Sequence, residues 1–141
     1  MQIEKEQIQS WIQIAMDMRD FSYAPYSSFT VGAALVAGDQ LFTGCNVENA
    51  AFAPGICAER TAIAKAVSEG VKSFDAIVIA AGSKGQAVSQ YTSPCGVCRQ
   101  MLREFVNPRE FRIIMARSTD DYIERTLEEL LPMSFGPENI G

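Results

Sequence analysis

The chain has 141 residues, of which 48% are hydrophobic and 21% are charged, a composition typical of a globular protein that buries its own core. Its formal net charge of −5 argues against a broad surface for nucleic-acid phosphates, and the absence of histidine excludes histidine-based acid–base catalysis and Ser-His triads. No apolar run is long enough to span a bilayer, and the first residues lack the pattern of a signal peptide. We therefore expect a cytoplasmic protein, without a membrane segment, whose four cysteines are metal ligands or core residues.

Hydrophobic periodicity and the positions of glycine and proline predict alternating helices and strands. In chain order they are a helix at 4–20, a loop at 24–28, strands at 30–37 and 40–46, a helix at 57–69, a strand at 74–81, a loop at 82–91, a helix with Pro94 in its first turn that is closed by Pro108, and a strand at 112–116. The segment 122–131 fits a strand or a helix, and 132–137 is predicted to be an irregular tail. The order α-β-β-α-β-α-β predicts an α/β fold with one mixed sheet and helices on both faces. No repeat, low-complexity tract or linker divides the chain, so we expect a single domain over 1–141.

Two short motifs carry the chemistry that the sequence suggests. Cys57 and Glu59 are separated by one residue at the start of a predicted helix, and Pro94-Cys95-Gly96-Val97-Cys98 opens the next one. A zinc ligand followed two residues later by glutamate, with Pro-Cys-x-x-Cys further on, is the signature of zinc deaminases. This spacing predicts that Cys57, Cys95 and Cys98 bind one zinc ion and leave its fourth position to water, as a catalytic site requires.

The residues beside Cys57 have predicted roles of their own. Three thiolates around a divalent cation carry a net negative charge, which helix N-termini and the Arg60 guanidinium are placed to balance. Glu59 is predicted to stay off the metal, to take a proton from the zinc-bound water and to pass it to a departing amine. Without Cys57, Glu59 would be read as an ordinary first-turn glutamate and Arg60 as a solvated helix residue.

Two other interpretations of the cysteines stay open at this point. A Cys-x-x-Cys pair is often a redox couple or half of a structural zinc site. The redox interpretation is disfavoured by the preceding Ser-Pro and by the acid beside Cys57. A closed structural site needs a fourth ligand, for which Cys45 is the candidate, although Cys45 on its predicted strand is more simply a small buried residue.

With these residues placed, the sequence resembles the small, homotetrameric class of cytidine deaminases over nearly its whole length. The resemblance is carried by segments in the same order along the chain: 23–27, 29–34, 44–50, 57–62, 93–100 and 129–137. It implies a three-layer α/β/α sandwich with a mixed central sheet of about five strands, one catalytic domain over 1–141 and one Zn²⁺ per chain. Two features depart from the family pattern: the loop at 82–92 is somewhat longer, and Phe52 stands where tyrosine is common.

The resemblance also implies which residues bind substrate. Asn46 and Glu48 would hold the ribose hydroxyls, Phe29 would pack against the base, and the backbone of Ala58 and Glu59 would bind the base edge. Two further aromatic residues, Phe52 and Phe135, would border the pocket of a neighbouring subunit and make the active site composite. Judged by spacing alone, the three phenylalanines are more simply core residues, and Asn46, Glu48 and Asn49 are compatible with turn positions.

The implied activity is hydrolysis of cytidine and 2′-deoxycytidine to the uridine products and ammonia, by attack of zinc-bound hydroxide at C4, for pyrimidine salvage.

Three alternatives to this activity remain. The first is the same chemistry on a blasticidin-type nucleoside, which the segment 46–49 disfavours because it suits an ordinary ribose. The second is a polynucleotide editor, which the acidic composition disfavours. The third is a zinc-binding interaction module without catalysis. We expect a small nucleoside substrate and no nucleic-acid partner.

Overall fold

In a computed structural model, which describes residues 2–141, four α-helices surround a five-stranded sheet. The helices are α1 (Gln2–Met18), α2 (Ala58–Ser68), α3 (Gly96–Phe105) and α4 (Leu127–Leu130). The strands are β1 (Phe29–Ala37), β2 (Gln40–Cys45), β3 (Ala76–Ser83), β4 (Arg112–Ser118) and β5 (Asp121–Thr126). None of the helices within residues 2–141 combines the length and the hydropathy that a membrane span requires.

The sheet is mixed, with the strand order β2-β1-β3-β4-β5. Only β3 and β4 run parallel, and their connection contains α3; the other three neighbouring pairs are antiparallel. Helix α1 packs against one face, whereas α2 and α3 pack against the other, so the core divides into two apolar clusters separated by the sheet. The predicted three-layer α/β/α sandwich with a mixed sheet of about five strands is confirmed.

Two strand glycines allow the helices to lie unusually close to the sheet. A Cβ atom on Gly32 would overlap the backbone carbonyl of Ala15 in α1. A Cβ atom on Gly44 would overlap the backbone carbonyl of Ala58, the first residue of α2. Because glycine lacks that atom, the beginning of α2 rests directly on β2. This contact fixes the position of Cys57, which immediately precedes the helix.

The main differences from the predicted elements arise from tertiary contacts. Strand β3 continues to Ser83, two residues beyond the prediction, because Ser83 pairs with Phe29 of β1. The ambiguous segment contains both structures: β5 pairs with β4 up to Thr126, whose side chain then caps α4 in a capping box with Glu129. The placement of Pro94 in the first turn of a helix was wrong, because α3 begins at Gly96 with Cys95 as its N-cap.

Candidate active site

The two motifs meet where α2 and α3 begin. Cys57 is the N-cap residue of α2 and Cys95 is the N-cap residue of α3, both with extended backbone angles. Cys98 lies in the first turn of α3 and is fully buried. Neither N-cap cysteine uses its side chain to cap the helix by a hydrogen bond. The sulfurs therefore face each other beside two helix N-termini, whose partial positive charge favours thiolates.

The sulfur positions fit a single metal ion. The Sγ atoms of Cys57 and Cys95 are 3.7 Å apart, those of Cys95 and Cys98 are 3.3 Å apart, and all three lie within 4.8 Å of one another. Two sulfurs bound to one tetrahedral zinc ion, each at about 2.3 Å, would be separated by about 3.8 Å. The distances are too long for a disulfide, and the thiols are free. Within residues 2–141, this is the one group of cysteine, aspartate or glutamate residues with metal-binding geometry, and Cys45 is not a member of it.

The three thiols are also electrostatically linked. A hydrogen bond from the Cys98 thiol, supported by Arg60 and by the Cys95 thiol, lowers the pKa of Cys57 to about 5 despite partial burial. The same contact with Cys57, together with burial, raises the pKa of Cys98. One thiolate is thus readily formed, whereas a second one needs further positive charge close by. A soft divalent cation such as zinc supplies that charge, so the donor set fits the predicted ion.

Arg60 is the cationic side chain beside this cluster. Its Nη2 atom lies 4.0 Å from Cys57 Sγ and donates a hydrogen bond of 3.3 Å to the Gly55 carbonyl. Among the described residues, its Nε atom is the one buried side-chain nitrogen or oxygen atom without a hydrogen-bond partner. The predicted balancing of thiolate charge by Arg60 is therefore geometrically reasonable, because the guanidinium is held next to the sulfur that ionises first.

Glu59 lies one residue beyond the start of α2 and is only 4% exposed, although it is an acid. Burial raises the pKa of its carboxyl group; a hydrogen bond from its own backbone amide opposes the shift, and negative charge on Cys57 adds to it. Its carboxylate is not part of the cluster with metal-binding geometry. A buried acid next to the thiols, but outside their ligand set, has the placement that the sequence predicted for a proton shuttle.

An open cavity of about 600 Å³ lies above the thiols, within the range of small-molecule binding sites. Cys57, Ala58, Glu59, Arg60 and Cys95 lie among its lining residues, whereas Cys98 is buried beneath them. The other lining residues come from three segments outside the two helices: Tyr26, Ser27 and Val31; Asn46 to Asn49, Phe52, Gly55 and Ile56; and Thr92 and Ser93.

Asn46 and Glu48, the predicted ribose-binding residues, line the cavity and also hold its rim together. The Asn46 amide accepts a hydrogen bond from the Val31 backbone at 2.9 Å and donates one to the Phe29 carbonyl at 2.8 Å. The Glu48 carboxylate accepts hydrogen bonds from the Tyr26 and Ser27 backbones and from the Ser27 hydroxyl.

The Ser27 hydroxyl is the main reason that the pKa of the Glu48 carboxyl lies below its ordinary value. The segment that carries Asn46 and Glu48 is not a simple turn, because Val47 forms backbone bridges to Tyr23 and Ile56. The turn interpretation therefore holds for Asn49, whose carbonyl and side-chain oxygens accept hydrogen bonds from the following backbone at 2.9 Å, but not for Asn46 and Glu48.

The three predicted aromatic contacts all lie at the surface. Phe29 begins β1 and is 41% exposed, and Phe135, in the C-terminal tail, is 58% exposed. Phe52 is 80% exposed and has a backbone φ of 63°, a conformation that non-glycine residues rarely adopt. None of the three is a core residue, and of these only Phe52 is among the residues that line the cavity.

The sequence did not identify several residues that shape the cavity. Tyr26, Ser27, Thr92 and Ser93 line it; all but Thr92 fall within the segments that carry the family resemblance, but no role was assigned to any of them. Arg99 was also missed: its guanidinium donates hydrogen bonds to the Pro94 and Leu130 carbonyls and to the Ser93 hydroxyl, at 2.7–3.1 Å. These bonds fix the chain where it enters Cys95, and the available signals were the adjacency of Arg99 to Cys98 and its place in the segment 93–100.

A three-layer α/β/α fold that brings three thiols and a buried carboxylate to the floor of an open cavity is the arrangement of a zinc deaminase. Residues 5–115 match the family model described as the cytidine and deoxycytidylate deaminase zinc-binding region. The chain belongs to this family.

Known relatives agree with this assignment. A cytidine deaminase of Sporosarcina psychrophila is 44% identical over 123 residues, which is 86% of each chain. A probable cytidine deaminase of Dictyostelium discoideum is 37% identical over 98% of this chain and 90% of its own length. The crystal structure of cytidine deaminase from Burkholderia pseudomallei superposes with a TM-score of 0.78 at 38% identity, covering 89% of this chain and 97% of the other.

Proposed function

We propose that this protein hydrolyses cytidine and 2′-deoxycytidine to uridine and 2′-deoxyuridine with release of ammonia. The observation that carries the proposal is the convergence of three thiols and the buried Glu59 on the floor of one open cavity. The thiols supply a metal site with room for water, and the acid supplies proton transfer. Hydrolytic removal of an exocyclic amine needs both of these functions and no further cofactor.

Cys57, Cys95 and Cys98 are the residues that would hold the zinc ion, one per chain. When bound there, zinc would supply a Lewis acid that makes water nucleophilic at neutral pH. Helix starts and Arg60 would limit the excess negative charge of three thiolates. A helix holds each cysteine, so the three sulfurs are arranged before the metal arrives.

Glu59 would carry protons between the attacking water and the departing amine. It takes one proton from the water as the new C4–O bond forms and passes it to ring N3; it then takes the second proton from the C4 hydroxyl and delivers it to the amino nitrogen as the C4–N bond breaks. The nitrogen leaves as ammonia and C4 becomes the carbonyl carbon of the uracil ring. One carboxylate would suffice for both transfers, because Glu59 lines the same cavity as Cys57 and would lie beside both the water and the amine.

The walls of the cavity would orient the nucleoside. The backbone of Ala58 and Glu59 at the start of α2 would bind the base edge. Phe29, which does not line the cavity but is bonded through its carbonyl to Asn46 at the rim, would pack against the base. Asn46 and Glu48 would bind the ribose hydroxyls with the polar capacity that remains after their contacts to the rim. An amide and a carboxylate two residues apart suit the neighbouring hydroxyl groups of a sugar.

The exposed aromatic residues support an assembly with composite active sites. Phe52 at the cavity edge and Phe135 in the tail are large apolar side chains that face outward. In a homotetramer they would border the cavity of a neighbouring copy and become buried there. The open shape of the cavity agrees with this arrangement, since a second chain would close it.

The cavity suits a free nucleoside better than a polynucleotide. Among the described residues that line it, Arg60 is the only cationic side chain, and it is directed to a thiol. No other lysine or arginine of the lining is available for phosphates, and the chain carries a net charge of −5. We therefore propose a role in pyrimidine salvage in the cytoplasm, with residues 1–141 as one catalytic domain.

Absorbance-monitored turnover of cytidine, with and without a zinc chelator, tests the proposal. We expect conversion to uridine that stops when the chelator has removed the zinc and resumes when zinc is added back. Measured zinc content should follow the activity. A zinc-loaded protein that leaves cytidine intact would contradict the proposed function and favour a non-catalytic zinc module.

A further inference from the structure

Helix α3, which begins at the two cysteines Cys95 and Cys98, also binds the C-terminal tail. Two side chains on its outer face reach the C-terminal tail: Gln100 Nε2 donates to the Phe135 carbonyl at 2.8 Å, and Arg103 Nε donates to the Ser134 hydroxyl at 2.8 Å. The other end of the Arg103 guanidinium forms an ion pair with Glu138. The tail residues on both sides of Phe135 are thus fastened to the helix that carries Cys95 and Cys98.

Arg103 is an unusual surface-helix residue because its side chain is only 9% exposed. A buried guanidinium needs partners, and Arg103 finds them in the tail. The tail has a glycine at the point where the guanidinium lies, and a Cβ atom on this residue, Gly136, would overlap the guanidinium. The Gly136 amide is meanwhile held by the Asn139 side chain at 2.8 Å.

This anchoring displays two apolar side chains. Phe135 is held by its backbone carbonyl, so its ring remains 58% exposed. Met133 is fully exposed and has a φ of 52°. A segment whose backbone and polar side chains face inward, with apolar side chains facing outward, is suited to contact another protein surface.

We infer that Arg103 is a positioning residue of the composite active site: by holding Ser134 and Glu138 it sets the location of the Phe135 ring that completes the cavity of a second copy of this chain. The inference rests on the proposed function, in which Phe135 borders a neighbouring cavity. Arg103 itself does not contact the substrate. Its effect passes through the tail and therefore should appear in substrate binding more than in the chemical step.

Four proteins test this inference: R103Q, F135A, the double variant R103Q/F135A and the control R109Q. Arg109 lines the same groove as Arg103 and forms a longer, exposed ion pair with Glu128, 3.6 Å from Nε to the carboxylate, so R109Q removes the same charge but leaves the bonds of Arg103 to Ser134 and Glu138 in place. For each protein, KM and kcat for cytidine, zinc content and the mass of the assembly in solution are measured. Zinc content should stay at one ion per chain in all four.

We expect R103Q to raise KM about tenfold, equivalent to about 1.4 kcal/mol, with little change in kcat. The double variant should bind cytidine no worse than F135A alone, because both substitutions remove the same contact. R109Q should match the original protein. An unchanged KM in R103Q, or effects of R103Q and F135A that add, would overturn the inference, since additivity indicates a merely structural role.

Two further results separate this inference from the proposed function. If F135A leaves KM unchanged, the composite site itself is refuted and the inference with it. If F135A raises KM and R103Q does not, only the role of Arg103 is refuted.

Should R103Q fail to fold, E138Q decides, because Glu138 is 63% exposed and its replacement leaves Arg103 in place. E138Q should raise KM about threefold, the loss of one exposed charge-assisted contact, and an unchanged KM would overturn the inference.

Discussion

The floor and the walls of the cavity are built in different ways. The floor, which comprises Cys57, Glu59, Cys95 and Cys98, is held by the backbone at the starts of two helices, and both Glu59 and Cys98 are buried. The walls, which comprise 26–27, 46–49 and 92–93, are loops held by side-chain hydrogen bonds across the chain and, at Val47, by backbone bridges. The difference implies that the chemistry is preorganised by the fold, whereas substrate binding depends on contacts that single substitutions can disturb.

The largest expected effect concerns the floor. E59Q should lower kcat by about 10²–10⁴, because it removes general acid–base catalysis while preserving shape and hydrogen bonding. Zinc content should remain one ion per chain, since the carboxylate is outside the thiol cluster. The matched control is E69Q at the exposed end of the same helix, for which we expect unchanged kinetics. An E59Q protein with unchanged kcat would show that the floor does not act through this carboxylate.

A smaller effect is expected for the walls. E48Q should raise KM for cytidine about tenfold, the equivalent of about 1.4 kcal/mol, with a weaker effect on kcat, because a charged acceptor for the ribose is lost. E110Q, which alters an exposed carboxylate outside the cavity lining, is the control.

The Glu48 carboxylate also fixes the rim, and S27A tests this second role: it removes the Ser27 hydroxyl, which donates to Glu48 and accepts from the Phe29 amide at 3.0 Å, and it leaves the carboxylate in place. If S27A raises KM as much as E48Q does, Glu48 acts through the rim and not through the sugar.

The smallest effect on activity, but a clear one on stability, is expected where α2 rests on β2. G44A should destabilise the fold by about 1–3 kcal/mol, because the added methyl group overlaps the backbone at the start of α2. Urea denaturation measures the change. G96A is the control, since a Cβ atom there meets nothing within 4 Å. Equal stability of the two variants would mean that this close contact does not hold the floor in place.

The same contrast explains how much the sequence could predict. The floor was predictable because its geometry is local: Cys57 and Glu59 share one helix start, and Cys95 and Cys98 share another. The order of the elements likewise predicted the layered sheet. Hydrophobic periodicity and the glycine and proline residues at the ends of elements are properties of short segments, so they can be read from the sequence.

The walls were less predictable because their contacts join distant parts of the chain. Nothing in the sequence indicated that Glu48 would bind the Ser27 hydroxyl or that Arg99 would join Ser93 to Leu130. The end of β3 was missed for the same reason, since it depends on pairing with Phe29. Roles that involve a second copy of the chain, such as those of Phe52 and Phe135, stay predictions.

X-ray absorption spectroscopy at the zinc edge of the purified protein tests the central claim most directly. The account predicts one zinc ion per chain with three sulfur ligands at about 2.3 Å and one oxygen ligand at about 2.0–2.2 Å. Four sulfur ligands, or a protein that binds no zinc, would contradict it, because either result would leave no place for water beside Glu59.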